Sequence, residues 1–174
     1  MRLLILIGLL TLSVVACKKD KDEDVVVDYR ERDDQLIKDY LDKNDIEAQK
    51  DAESGLYYRI RAVGEGNAVQ ANDTVVIRYI GKVIARNTES KEPELGKNPF
   101  DFTPNAEPAR RMKLSGLIEG WKIGIPMIKK GGKIDLFIPS HLGYGNSYHS
   151  GIPANSVLFF DIDLEDVVVV PEEK

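Results

Sequence analysis

Both histidines of the chain lie in one short segment, and their side chains are the first candidates for chemistry. The segment HLGYGNSYHSGIP contains His141 and His149, and between them Tyr144 flanked by Gly143 and Gly145. The imidazoles could be metal ligands, general bases, or part of a pocket wall built around the tyrosine. Two histidines eight residues apart in a glycine-rich loop do not match common zinc spacings, and further ligands would have to come from Asp or Glu. We therefore expect no metal site and no cofactor.

The rest of the sequence lacks the patterns of covalent and phosphate chemistry. No glycine-rich phosphate loop follows a strand-like run, and no G-x-S-x-G is present. The single cysteine, Cys17, lies near the N-terminus, so no disulfide can form within the chain. A net charge of −5 over 174 residues gives no basic footprint for nucleic acid.

The first residues predict export. Arg2 is followed by an apolar run from Leu3 to Val15 and then by Ala16 and Cys17, which is the order of a secretory signal over residues 1–16. The run is too short for a transmembrane helix. The letters VVAC resemble the processing box of bacterial lipoproteins, which implies lipidation of Cys17; the alternative is an ordinary signal with an incidental cysteine.

A lipidated Cys17 would anchor the protein to a membrane of the cell envelope. We expect this to be the outer membrane, with the protein facing either the periplasm or the cell surface. The charged stretch KKDKDED, which contains no apolar residue, predicts a solvated tether over residues 17–32.

An amphipathic helix is predicted next, within an N-terminal segment of residues 33–53. Its apolar residues recur at helical spacing: Leu36, Ile37, Tyr40 and Leu41. The helix should run from about Asp33 to Lys43, and its apolar stripe could pack on the main domain or on a second copy of the chain.

Residues 54–170 have the pattern of one α+β domain. About five strand-like runs, such as TVVIRYIG and KIDLFIP, alternate apolar and polar residues, and their connections are short. LIEGWKIGIPM has helical spacing, and Pro126 should bend or shorten that helix. This combination favours an antiparallel sheet with one short helix covering a face.

Five short motifs then occur in a specific order: VVIRYIGKV, NPFDFT, LSGLIEGW, IPMIKKGGKIDLFIP and LGYGNSYHSGIPANSVLFFDIDL. In this order they resemble the FK506-binding-protein (FKBP) family of peptidyl-prolyl cis-trans isomerases, over about Ser54 to Asp166. The resemblance implies an antiparallel sheet of five to six strands wrapped around one short helix. It also implies proline-containing polypeptides as substrates and FK506-type macrolides as inhibitors, and together with the export signal it implies a role in folding exported proteins.

The resemblance further places ten residues in a proline pocket. Four are implied to act on the X-Pro bond: Tyr79, Asp101, Trp121 and Tyr144. Six are implied to bind the substrate: Phe100, Leu117, Ile118, His149, Ile152 and Phe160. In this interpretation Trp121 is the floor under the proline ring, a nearly buried Asp101 organises Tyr79, and Tyr144 offers its hydroxyl to a substrate carbonyl, whereas His141 is structural.

Three departures from the family pattern leave an alternative open. An inserted segment, about Ala85 to Asn98, could cover or extend the pocket. Arg110 and Met112 stand where many members have apolar or aromatic side chains, and Ser150 replaces a proline that many members have. The alternative is a non-catalytic FKBP-like chaperone or binding module on the cell envelope.

Overall fold

A computed structural model describes residues 28–169, so the predicted signal peptide, Cys17 and most of the tether lie outside the described residues. The elements in chain order are α1 (Arg30–Lys43), β1 (Gln49–Lys50), β2 (Tyr57–Ala62), β3 (Thr74–Arg86), β4 (Pro93–Leu95), β5 (Asp101–Phe102), β6 (Arg110–Lys113), α2 (Glu119–Gly124), β7 (Lys133–Ile138) and β8 (Val157–Val168). Short 3₁₀ turns lie at Leu114–Gly116, Ile125–Met127 and Ser140–Leu142.

Strand β3 is the centre of a single antiparallel sheet. The main strand order is β1-β2-β7-β8-β3-β4, and the short strands β5 and β6 also pair with β3. Strand β3 pairs with β8 along most of its length, from Thr74 opposite Val168 to Ile84 opposite Val157. Because β3 contacts four other strands, it links the segments that carry the candidate site residues.

The predicted fold class is confirmed, with a difference in the number of strands. The sheet has eight strands rather than five or six. Strands β1, β4 and β5 have only two or three residues each. An alternation of apolar and polar residues needs more positions than that to be recognisable, and β4 lies within a segment that reads as a proline-containing loop.

Helix α2 packs closely on the inner face of the sheet because it presents two glycines to strand β7. A Cβ atom at Gly120 would lie 2.7 Å from Ile138, and one at Gly124 would lie 2.5 Å from Leu136. Larger residues would push the helix away from the sheet. The helix ends at Gly124 and continues as a 3₁₀ turn that contains Pro126, as the proline predicts.

Helix α1 covers the outer face of the same sheet, so its apolar stripe packs within its own chain. Ile37, Tyr40 and Leu41 form a cluster with Phe137 of β7 and Val157 of β8. Strand β7 is therefore buried on both faces. The helix begins at Arg30, three residues before the predicted start, and the predicted segment 33–53 is not all helix, because residues 49–50 form β1.

The inserted segment extends the sheet along α1. It lengthens β3 to Arg86 and returns as β4, and Arg86 forms an ion pair with Asp39 of α1. The ammonium of Lys43 donates to the carbonyl of Pro93 at 3.2 Å. The insertion therefore supports α1. No helix among residues 28–169 is long and apolar enough to cross a membrane.

Truncation of Ile37 tests whether α1 belongs to the core. Ile37 is 0% exposed, so Ile37→Ala should lower the free energy of unfolding by about 2–4 kcal/mol through lost burial and a cavity. Glu31→Ala, at an exposed position of the same helix, is the matched control and should change it by less than about 0.5 kcal/mol. Urea unfolding measures both, and equal effects would contradict the packing.

Candidate active site

A cavity of about 280 Å³ opens between α2, strand β3 and the segment that joins β7 to β8. We call that segment, residues 139–156, the pocket loop. The cavity walls are mainly aromatic and aliphatic, and they consist of Tyr79, Phe100, Asp101, Met112, Gly116, Leu117, Ile118, Trp121, Tyr144, His149 and Phe160. An apolar cavity with a few polar groups is typical of a binding site for an organic ring or a short peptide.

Trp121 forms the floor of the cavity, where edge-to-face contacts hold it. Its ring centroid lies 5.1 Å from that of Tyr79 and 4.9 Å from that of Phe160, with interplanar angles of 83° and 85°. Phe100 packs edge-to-face on Phe160 at 5.5 Å. A Cβ atom at Gly81 of β3 would lie within 2.8 Å of both phenylalanine rings, so this glycine makes their positions possible.

One side of the cavity carries a hydrogen-bonded group of three residues. The hydroxyl of Tyr79 donates to the Asp101 carboxylate at 2.5 Å and accepts from the Arg110 guanidinium at 2.6 Å. Arg110 also contacts Asp101 at 3.0 Å and donates to the carbonyl of Phe102 at 2.9 Å. Arg110 is therefore not part of the cavity wall. Its guanidinium lies beside the cavity and compensates the charge of the Asp101 carboxylate, and Met112 contributes an apolar side chain to the wall.

The pocket loop presents Tyr144 to the opposite side of the cavity. Its ring stacks on His149, with centroids 4.2 Å apart and planes 10° from parallel. The backbones of His149 and Ile152 exchange two hydrogen bonds across a tight turn. Ser150 in this turn has a φ of +43°, which proline cannot adopt, so the loop excludes the proline that many family members have.

Burial keeps the phenols of the cavity protonated. Burial first, and then the hydrogen bond to Asp101, raise the pKa of Tyr79 far above its ordinary value of about 10. Burial also raises the pKa of Tyr144, with a smaller contribution from the Asp101 charge. Within residues 28–169, no His, Cys, Asp and Glu side chains are grouped as a metal site. The protonated phenols of the site can donate hydrogen bonds to a bound group.

Nine of the ten residues expected in the pocket line the cavity. Ile152 is not among the lining residues; its side chain is buried in the hydrophobic core that also contains Trp121 and Phe160. Asp101 is 43% exposed rather than nearly buried. Gly116 also lines the cavity, but the sequence does not indicate this, because a glycine has no side chain and contributes only open space. The residues of the inserted segment are absent from the lining, and His141 lies apart, with its Nε2 atom 3.3 Å from the carbonyl of Ser54.

Comparison with known proteins agrees with this geometry. The sequence model of the FKBP-type peptidyl-prolyl cis-trans isomerases matches residues 65–165. The chain belongs to this family. The match includes β3, α2, the pocket loop and most of β8, so every cavity-lining residue of this FKBP domain lies within it.

The FKBP chain also resembles named bacterial proteins. It is 40% identical over 123 residues to the FKBP-type isomerase FkpA of Escherichia coli, and 33% identical over 156 residues to a probable FKBP-type isomerase of Haemophilus influenzae. These alignments cover 71% and 89% of this chain but 42% and 59% of the two relatives. The crystal structure of E. coli FkpA superposes with a TM-score of 0.65 and 34% identity, over 82% of this chain and 62% of that one. The chain thus spans about two fifths of the length of FkpA in the sequence comparison.

Two phenylalanine truncations test which rings form the site. Phe160 is 3% exposed and contacts both Tyr79 and Trp121, so Phe160→Ala should cost about 3–5 kcal/mol of unfolding free energy. Phe102, 45% exposed, is the control, and Phe102→Ala should cost under about 1 kcal/mol. Urea unfolding followed by circular dichroism compares them. A larger cost at Phe102 would contradict the assignment of Phe160 to the cavity wall.

Proposed function

We propose that this FKBP domain is an active peptidyl-prolyl cis-trans isomerase that acts on proline-containing polypeptide segments. The proposal rests on a difference in hydrogen bonding between the two phenol hydroxyls of the cavity. The hydroxyl of Tyr79 is engaged by Asp101 and Arg110. The hydroxyl of Tyr144 has no hydrogen-bond partner among the described residues, although its ring lines the same apolar cavity. It is therefore available to a substrate carbonyl.

The chemistry needs no nucleophile. Rotation about an X-Pro bond is slow, with a barrier of about 18–20 kcal/mol, because amide resonance favours the planar form. The twisted amide has less charge separation than the planar amide, so an apolar cavity penalises the twisted form less. An enzyme accelerates the reaction when it binds the transition state more tightly than the ground state.

The cavity residues have distinct roles in this mechanism. Trp121 supports the proline ring from below, and Leu117, Ile118 and Phe160 restrict its position from the sides. A hydrogen bond from Tyr144 to the carbonyl before the proline, or to a neighbouring one, orients the rotating segment. The pair of Tyr79 and Asp101 keeps one side of the cavity rigid. Ile152 pairs with His149 through the backbone, and its side chain packs in the core that contains Trp121 and Phe160, next to the expected position of the substrate.

The structure weakens the support for the alternative, a non-catalytic chaperone or binding module. This alternative was based on two features of the sequence, the inserted segment and Arg110. The insertion packs on α1, and Arg110 binds Asp101 and Tyr79 beside the cavity instead of occupying it. An FK506-type macrolide, whose apolar ring would occupy the same cavity, is accordingly expected to inhibit the enzyme.

We also propose that the protein works in the cell envelope on exported polypeptides. The basis is the order of Arg2, the apolar run and Cys17 in the sequence. Lipidation of Cys17 would hold the FKBP domain near a membrane through the charged tether of residues 17–32. Mass spectrometry of the protein purified from membranes would detect a diacylglyceryl Cys17 as its first residue; an unmodified N-terminus would exclude the anchor.

Removal of one hydroxyl tests the role of Tyr144. Tyr144→Phe should lower kcat/KM for X-Pro peptides about 5- to 30-fold, the equivalent of about 1–2 kcal/mol for one hydrogen bond in an apolar site. Tyr148→Phe removes the same group from the same loop at a position that is 72% exposed, and it should leave turnover unchanged. A protease-coupled assay with several residues before the proline measures both. Equal rates for wild type and Tyr144→Phe would exclude the hydroxyl from catalysis.

The raised phenol pKa values also predict the pH dependence. Because both pKa values lie above the ordinary value of about 10, Tyr79 and Tyr144 stay protonated as pH rises. The catalysed rate should therefore be flat from about pH 7 to about pH 9.5. An uncoupled assay that follows peptide absorbance avoids the pH dependence of a coupling protease. A fall in kcat/KM with a midpoint below pH 9.5, abolished in Tyr144→Phe, would contradict the burial of that phenol.

A further inference from the structure

The pocket loop carries Tyr144 and His149, yet it belongs to no strand, so other contacts must determine its position. It leaves the sheet at Ile138 and returns at Val157. Within the loop, the carbonyl of Ser140 accepts from the amides of Gly143 and Gly145, at 3.1 Å and 2.9 Å. These two amides flank Tyr144. The position of Ser140 therefore sets the position of the tyrosine backbone.

Ser140 is held by a residue outside the cavity. The Asp33 carboxylate on helix α1 accepts from the backbone amide of Ser140 at 2.8 Å and from its hydroxyl at 2.6 Å. Asp33 is 0% exposed and Ser140 is 3% exposed. Two hydrogen bonds to one buried carboxylate oxygen make a strong and geometrically specific link, because the acceptor is ionic and water is excluded.

The neighbouring residue of α1 holds the other end of the loop. Arg32 pairs with the second carboxylate oxygen of Asp33 and donates to the carbonyl of Asn155. The amide of Asn155 in turn donates to the carbonyl of Gly145 at 2.7 Å. Two adjacent residues of α1 thus fix the beginning and the end of the pocket loop, and both connections converge on the backbone next to Tyr144.

We propose that Asp33 is a positioning residue for Tyr144, so that helix α1 sets the geometry of the active site from the outer side of the sheet. This inference rests on the proposed isomerase function. The polar partners of Asp33 are Ser140 and Arg32, and neither lines the cavity; Asp33 acts through Ser140 and, with Arg32, through Asn155. No sequence motif identifies Asp33, which in the sequence is only an acidic residue suited to the first turn of a helix.

Three variants test the proposal in the full protein. Asp33→Ala removes both hydrogen bonds to Ser140 and the ion pair that holds Arg32. Asp33→Asn keeps one oxygen for Ser140 but loses the charge that pairs with Arg32. Asp34→Ala is the matched control, because the hydrogen bonds and ion pairs of Asp34 go to Lys38, Lys50 and Tyr57 and to no residue of the pocket loop. We expect kcat/KM to fall about 3- to 10-fold in Asp33→Ala, less in Asp33→Asn, and by less than twofold in Asp34→Ala.

A double-mutant cycle with Tyr144→Phe separates positioning from general support of the fold. If Asp33 acts through the tyrosine hydroxyl, Asp33→Ala should change kcat/KM by less than twofold once that hydroxyl is absent. If kcat/KM of the double variant instead falls by the product of the two single losses, the two residues act independently and the proposal is overturned. If Asp33→Ala does not fold, as urea unfolding would show, Asp33→Asn replaces it in the same cycle.

Amide exchange gives a readout that does not depend on catalysis. The Gly143 and Gly145 amides should exchange at least tenfold faster in the Asp33 variants and at the wild-type rate in Asp34→Ala. Equal exchange in the Asp33 and Asp34 variants would overturn the positioning role. If the wild-type protein proves inactive, the proposed function fails, but this comparison still decides whether Asp33 holds the loop.

Discussion

The close approach of helix α2 to strand β7 is the constraint on which the active site depends. Gly120 and Gly124 remove the side chains that would separate the helix from Ile138 and Leu136. Trp121 is then held against the inner face of the sheet, where Tyr79 and Phe160 reach its ring. If α2 moved outwards by the width of a methyl group, Trp121 would move with it and the cavity would become wider and more accessible to water. In the proposed mechanism, the preference for a twisted amide depends on the exclusion of water from the cavity.

Three polar residues around the cavity bond to one another, and one further hydroxyl stays available for a substrate. Tyr79, Asp101 and Arg110 satisfy one another, so their charges and donors are compensated without a ligand. Tyr144 keeps its hydroxyl available, and stacking on His149 fixes the direction of its ring. This answers the question raised by the two histidines: His149 supports a tyrosine, and His141 bonds the backbone of Ser54 at the surface. The structure assigns neither of them to acid–base chemistry.

The sequence predicted well those features that depend on local pattern or on ordered motifs. The α+β class, the shortened helix at Pro126 and nine cavity-lining residues were all anticipated. It predicted poorly the features that depend on three-dimensional arrangement. Strands of two or three residues show no alternation. The position of the insertion depends on an ion pair between Arg86 and Asp39, which are far apart in the sequence, so the sequence alone could not distinguish a place over the cavity from one along α1. Ile152 is absent from the cavity lining, because family likeness identifies a loop position but not which side of the loop its side chain occupies.

The most direct test of the isomerase proposal is cis-to-trans isomerisation of X-Pro peptides by the purified protein, with and without an FK506-type macrolide. Trp121 is the single tryptophan of the chain, so its fluorescence reports occupancy of the cavity in the same samples. We expect accelerated isomerisation, and loss of that acceleration at the macrolide concentration that changes Trp121 emission. Macrolide binding seen by Trp121 without any acceleration, across several residues before the proline, would contradict the proposal and identify a cavity that binds but does not catalyse.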